Sequence, residues 1–227
     1  MNFLTHYYCD RKKEDPYYNL GLAIPDLMSM FKRGWKINNK FNKHSLSADF
    51  LSIAEGITQH LQADSYFHQS DFFLRYTSRI KQLMLDNEIK YRGTHYLFLS
   101  HLLLEICIDR VIVINLPQVV KDFYADMSGI QQNTVNDFFK EIGVVVPEGF
   151  FIFYERFVRE KFLYAYDDIE KVIFMYNRIL TRINMTVIDP EEYEKLSNVI
   201  KSIDDLLYNE LIERAAFNQL TSAKKTS

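Results

Sequence analysis

Helix breakers are scarce in this sequence. Only 7 glycines and 5 prolines occur in 227 residues. Sheet proteins need many turns rich in both, so the scarcity points to an all-α fold. Cysteine is scarcer still. Cys9 and Cys107 stand far apart and make no disulfide framework, and we read them as free thiols in a reducing compartment. Long apolar runs are missing too. The most apolar stretch, VIVINLP at 111–117, is far too short to span a bilayer. The opening MNFLTHYYCDRKK lacks the apolar core of a secretory signal. Neither sign of charge dominates, and a net charge of −3 offers no global field for nucleic acid. These absences predict a soluble, cytoplasmic protein with neither a nucleic-acid nor a membrane partner.

What is present suits one globular domain. Hydrophobic residues make up 48% and charged residues 25%, with 18 Phe and 15 Tyr to build a bulky core. There is no internal repeat, and only the closing TSAKKTS reads as a frayed tail. The expected organisation is a single all-α domain over 1–221 with a disordered tail at 222–227. Helices are expected over 2–9, 18–31, 48–66, 69–87 and 94–115, then from Pro117 to near Gly129. Further helices are expected over 133–141, 147–161, 166–184 and 190–221. Pro25 should kink the second helix or open its later half. Ser47 reads as an N-cap, because its hydroxyl can take an orphan N–H of the first turn. His95 stands near a helix start and reads as a cap. VVV at 144–146 could be a strand, but it has no partner run. The helix at 94–115 is apolar nearly all round, so it should be the buried central one.

Polar residues stand out against that background. GITQHLQADSYFHQSD, at 56–71, carries His60, Asp64 and His68, each four residues from the next. A four-residue step on a helix returns to within about 40° of its start, so the three share one face. On the apolar helix, His101 and Glu105 repeat the same step. Burying a carboxylate among leucines is costly unless it is paired or binds a metal. Two such helices could converge on one metal centre, and imidazole with carboxylate suits Zn, Fe, Ni or Mn. His6, within NFLTHYY, and Asp26, after LGLAIP, are further polar residues in apolar surroundings. A buried His101–Glu105 ion pair and an i,i+4 surface pair at Asp64 remain open readings of the same spacings.

A run of positive charge follows Asp26. Between Leu27 and Ala48 there is no acidic residue, while Lys32, Arg33, Lys36, Lys40 and Lys43 give five cations. It reads either as a solvated loop or as an edge that docks a phosphate or an acidic partner.

The order of these segments resembles the acyl-carrier-protein phosphodiesterases. MNFLTH matches that family's opening Met-Asn-[Phe/Tyr]-Leu-x-His. LGLAIPD at 20–26 matches its Gly-Asn-x-x-x-Asp segment, and GITQHLQAD at 56–64 its Gly-[Ile/Val]-x-x-His-Arg-x-Ile-Asp. The helix around 101–105 stands where the family has two acidic residues four apart, and YDDIEKVIFMYNRILTR at 166–182 matches more loosely. The resemblance implies an HD-domain-like, metal-dependent phosphodiesterase that releases 4′-phosphopantetheine from acyl carrier protein, with a divalent metal such as Mn. His6, Asp26, His60 and Asp64 fall on family positions of the same residue type. His68, His101 and Glu105 replace the family's Asp, which shifts the donors from oxygen toward nitrogen and favours Zn, Fe or Ni. Leu22, Leu61 and Ile106 replace its Asn, Arg and His.

The expected ligands are therefore His6, Asp26, His60, Asp64, His68, His101 and Glu105, with Asp26 or Asp64 as the base. The Lys32–Lys43 edge would dock an acyl carrier protein or a small phosphoester. Loss of the three polar family residues keeps a second expectation open: a non-catalytic helical protein on the same scaffold, with one structural metal. A di-iron oxygenase normally needs paired Glu-x-x-His motifs, which this sequence lacks. Residues after 185 carry no readable functional signal, and nothing specifies an oligomeric state.

Overall fold

A computed structural model describes residues 1–41, 46–91 and 95–220, and among them the regular structure is all helix with no strand. The helices are α1 (Phe3–Asp10), α2 (Pro16–Phe31), α3 (Ala48–Gln69), α4 (Asp71–Asp86) and α5 (Tyr96–Asn115). Then follow α6 (Pro117–Ser128), α7 (Gln132–Glu141), α8 (Phe150–Glu160), α9 (Ile169–Arg182) and α10 (Tyr193–Leu207). The expected tail at 222–227 and the cation Lys43 lie outside the described residues.

Local chemistry sets most helix ends. The Ser47 hydroxyl accepts from the Phe50 N–H, as an N-cap should. Ser70 both ends α3 and begins α4: its hydroxyl accepts from the Phe73 N–H and donates to the Phe67 carbonyl. Because the break falls at Ser70, α3 runs on through His68. His95 occupies the N-cap of α5, but its side chain makes no capping bond. Helix α2 is continuous through Pro25. VVV at 144–146 lies outside any strand. The expected helix over 190–221 is broken. A 3-10 turn at Pro190–Glu192 precedes α10, which gives way after Leu207 to a π-helical turn at Tyr208–Glu213.

Helix α5 is the centre, as its all-round apolarity requires. It packs against α1, α4, α6, α9 and α10. Its polar ends are bonded to neighbours: Arg110 pairs with Asp204 of α10 at 2.9 Å, and Tyr176 of α9 donates to the Leu99 carbonyl at 2.9 Å. The most extensive helix pairing is α2 on α3. Two glycines explain it. A Cβ on Gly56 would lie 2.1 Å from the Tyr18 carbonyl oxygen, and one on Gly21 would lie 2.4 Å from that of Ile53. The backbones meet where side chains are absent. That crossing sets the Leu22 carbonyl of α2 against the His60 ring of α3.

Candidate metal centre

The seven expected ligands come from four helices. His6 lies on α1, Asp26 on α2, His60, Asp64 and His68 on α3, and His101 and Glu105 on α5. They do not form the single shell the sequence suggested. His6, Asp26 and His60 make an inner group, and His68, His101 and Glu105 an outer one, with each group's donor atoms within 4.8 Å of one another. Helical rise forces the division. His60 and His68 share a face but stand eight residues apart, which is about 12 Å along the axis. Two donors on one ion, with bonds of about 2.1 Å, cannot be more than about 4 Å apart. Asp64 sits midway and serves both sides.

The two inner histidines are buried, with side chains 0% and 2% exposed, while Asp26 is 23% exposed. The histidine rings stack with centroids 3.8 Å apart. His60 Nδ1 lies 2.8 Å from the Leu22 carbonyl oxygen. A carbonyl can only accept, so Nδ1 carries the proton and Nε2 presents a lone pair. Nε2 faces Asp26 Oδ1 and Asp64 Oδ2, each at 4.0 Å. This is the second-shell arrangement of metal-binding histidines, in which a backbone carbonyl fixes the tautomer. His6 Nε2 is 3.3 Å from Asp64 Oδ1 but badly aligned with it, and neither His6 nitrogen makes a directed hydrogen bond. Asp26 Oδ2 is likewise buried without a hydrogen-bond partner. Buried polar atoms without partners are rare and costly, and a cation bound among them would remove the cost.

Electrostatics suit that occupant. Burial lowers the pKa of His6 and, with His6 beside it, lowers that of His60 well below the usual range. Neutral imidazole is the form that ligates. Burial, reinforced by the Asp64 charge, raises Asp26 well above the usual carboxylate range. Burial alone would raise Asp64 too, but His6 and the Met1 α-ammonium outweigh it and hold that carboxyl far below its usual range. The Met1 α-ammonium lies 2.7 Å from Asp64 Oδ1 and 3.0 Å from Glu105 Oε1. Burial opposes its charge, yet Glu105 and Asp64 raise its pKa to about 10. A positive charge is stable between the two groups.

The outer group is tighter and wetter. His68 and His101 are 32% and 30% exposed, and Glu105 is 17% exposed. His101 and Glu105 are the i,i+4 pair expected on α5, with Nε2 and Oε1 2.9 Å apart. Burial would raise the Glu105 pKa, but the Met1 α-ammonium and the two histidines hold it below the usual range. Its partnership with Glu105 raises His68.

One residue that the sequence alone did not single out organises the inner group. Asp109 is fully buried on α5 and caps α1 from outside. Its Oδ1 accepts from the Thr5 N–H at 2.8 Å and the Thr5 hydroxyl at 2.7 Å, and its Oδ2 accepts from the Leu4 N–H at 3.1 Å. These are orphan donors of the first turn, where a carboxylate is favoured. An eight-residue helix is marginal alone, so this cap holds His6 in place. The signal was present: one more four-residue step from His101 and Glu105 lands on Asp109.

Lys32, Arg33, Lys36 and Lys40 are all exposed. Arg182 of α9 joins their edge, donating to the Ser29 and Met30 carbonyls at 2.6 Å, where α2 ends. Leu22 and Ile106 are core residues, each 1% exposed. No helix among the described residues is long and apolar enough to cross a membrane. No family model matches the chain, and neither does any curated protein or solved structure.

Proposed function

We propose that the chain is a metal-dependent hydrolase acting on a phosphoester. The observation that carries this reading is the inner group, where buried imidazole and carboxylate atoms face one another without protein partners. His6, Asp26 and His60 would hold a divalent ion, with Asp64 reaching it from the next turn of α3. Such an ion polarises a phosphoryl oxygen and brings the pKa of coordinated water toward neutrality. Zn, Fe, Ni and Mn all suit the donors.

The protein groups divide the remaining work. Asp64, held anionic, balances the ion's charge. Asp26 Oδ2 is buried without a hydrogen-bond partner, and a carboxylate oxygen placed there could take a proton from the attacking water. Burial of the histidines keeps both neutral, while the partly exposed Asp26 and Asp64 would leave the carboxylate side open to water and substrate.

The resemblance to acyl-carrier-protein phosphodiesterases supports an HD-domain-like scaffold and a phosphopantetheinyl carrier protein as substrate. The exposed edge of Lys32, Arg33, Lys36 and Lys40, with Arg182 beside it, suits an acidic carrier. Changing Lys32, Arg33 and Lys36 to Ser should raise KM for such a substrate and leave kcat alone. An unchanged KM removes the docking role.

The direct test is hydrolysis of a chromogenic phosphodiester by protein loaded with each of Mn, Fe, Zn and Ni. Activity that disappears in Asp26→Asn, with metal content intact, supports the reading. No turnover with any of the four ions overturns it. The buried Leu22 and Ile106, where the family has polar groups, favour one rival: a non-catalytic protein with a closed structural metal. That rival predicts stabilisation by metal with no turnover.

A further inference from the structure

We infer that the outer group is a second, separate metal site, an exchangeable one built as a two-histidine, one-carboxylate face. It rests on the metal-centre part of the reading above and not on the reaction.

Three observations carry it. The first is the tautomer of His68. Its Nδ1 lies 2.7 Å from the Asp64 carbonyl oxygen and must donate to it. The neutral ring therefore turns a lone pair on Nε2 toward Glu105 Oε1 at 3.2 Å and His101 Nε2 at 3.0 Å. Glu105 Oε1 already accepts from the Met1 α-ammonium at 3.0 Å, but the His68 lone pair that faces it still needs a proton or a metal ion between them. The same device, a backbone carbonyl holding Nδ1, orients His60 in the inner group.

The second is the shape of the triangle. Its edges are 3.0, 2.9 and 3.2 Å. Adjacent donors on an octahedral ion with bonds of about 2.1 Å are about 3.0 Å apart, against about 3.4 Å on a tetrahedral one. Two histidines and one carboxylate on one octahedral face suit Fe(II) or Mn(II) and leave other positions open.

The third is access. Both histidines are about one-third exposed, unlike the inner pair. The rings of Phe73 and Phe98 flank His101, with centroids at 4.9 and 6.0 Å. Phe98 itself is 41% exposed, with Leu97 beside it at 58%. The site opens between apolar groups, so a ligand that reaches the outer ion meets an apolar rim. An ion held by two partly exposed imidazoles exchanges faster than one held by two buried ones.

The competing occupant is a proton on His68, and metal counting separates the two. Full-length protein stripped with a chelator is titrated with Mn(II), following the free-ion magnetic resonance signal. Two equivalents are expected for the wild type and one for both His101→Gln and His68→Gln, with unchanged helical circular dichroism. Dialysis of the loaded wild type against metal-free buffer should remove one equivalent and leave the other. With Co(II) as the probe, the second equivalent should add the weak visible absorption of six-coordinate cobalt. A single equivalent in the wild type, two equivalents retained in both variants, or intense tetrahedral absorption from the second cobalt overturns the second site. Two equivalents with no phosphodiesterase activity would overturn the proposed reaction and leave this site standing.

Discussion

The inner and outer groups each join two imidazoles to one carboxylate but are assembled differently. The outer group needs two helices, and two of its members are already one turn apart on α5. The inner group needs three helices, each supplying one residue. It depends on a glycine-to-glycine crossing and on a cap supplied by a fourth element, α5. A site assembled locally survives small shifts in packing, whereas one assembled from three helices reports on every contact that holds them. Substitutions away from the ligands should therefore damage the inner group and spare the outer one.

Gly56→Ala is the severest of these. Alanine favours helix over glycine by about 1 kcal/mol, which works the other way. But the new Cβ would stand 2.1 Å from the Tyr18 carbonyl oxygen and 2.9 Å from Gly21 Cα, both backbone atoms that cannot turn aside. Prying α2 from α3 should cost about 3 kcal/mol or more, read from urea unfolding. Tightly held inner metal should be lost while the exchangeable equivalent remains. A cost under about 1 kcal/mol, with both equivalents kept, would show that the crossing does not hold the inner group together.

Asp109→Ala comes next. It strands the Leu4 N–H, the Thr5 N–H and the Thr5 hydroxyl in the core. Each stranded group costs about 1–3 kcal/mol where water cannot reach it, so the low end for three groups, about 3 kcal/mol, is the least loss expected. The start of α1 loosens and His6 goes with it. The expected signature is loss of inner metal at a pH and temperature where the helical signal is intact.

The helices were largely legible in the sequence, and the assembly of the inner group was not. Ser47, Pro117 and Gly129 act through their nearest neighbours, so they mark helix ends in any tertiary setting. His60, Asp64 and His68 were legible as one helical face for the same reason. Their division between two groups follows from rise along α3, and only the positions of α2 and α5 reveal which partner each residue meets. Gly21 and Gly56 stand on the glycine positions of the two family-like segments, but their close approach depends on where α2 and α3 cross. Asp109 continues the four-residue step of His101 and Glu105, but what it caps shows only once α1 is placed beside α5. The π-helical turn after Leu207 has no breaker residue to announce it.

Acidity distinguishes the groups through the same cap. Burial raises Asp109 from the usual 3.8 to about 6, although the Thr5 and Leu4 donors pull it down. A carboxyl whose folded pKa lies above its unfolded one favours folding when protonated. Its contribution is complete below about pH 4 and is lost as pH rises through about 6. Over that window the wild type should lose about 2 kcal/mol relative to Asp109→Asn, which does not titrate. Unfolding free energies measured for both proteins at pH 4, 5, 6 and 7 check the slope. A constant difference across the series would place the Asp109 pKa in the ordinary range and remove the burial argument.

The smallest expected effect on stability is also the sharpest contrast. His101→Gln alters a side chain that is 30% exposed and whose contact with Glu105 is partly solvated. The metal-free protein should change by less than about 0.5 kcal/mol. His60→Gln alters a side chain that is 2% exposed and removes the donor that the Leu22 carbonyl accepts from. It should cost about 2 kcal/mol before any metal is added. Adding Mn(II) then reverses the emphasis. The ion should raise the melting temperature of the wild type in two steps of slope, each beginning near one site's Kd, because a site contributes RT ln(1 + [ion]/Kd). His101→Gln should keep only the step at lower concentration, and His60→Gln only the step at higher concentration. If either variant abolishes both steps, the two groups act as one site, and the distinction between a tightly held ion and an exchangeable one fails.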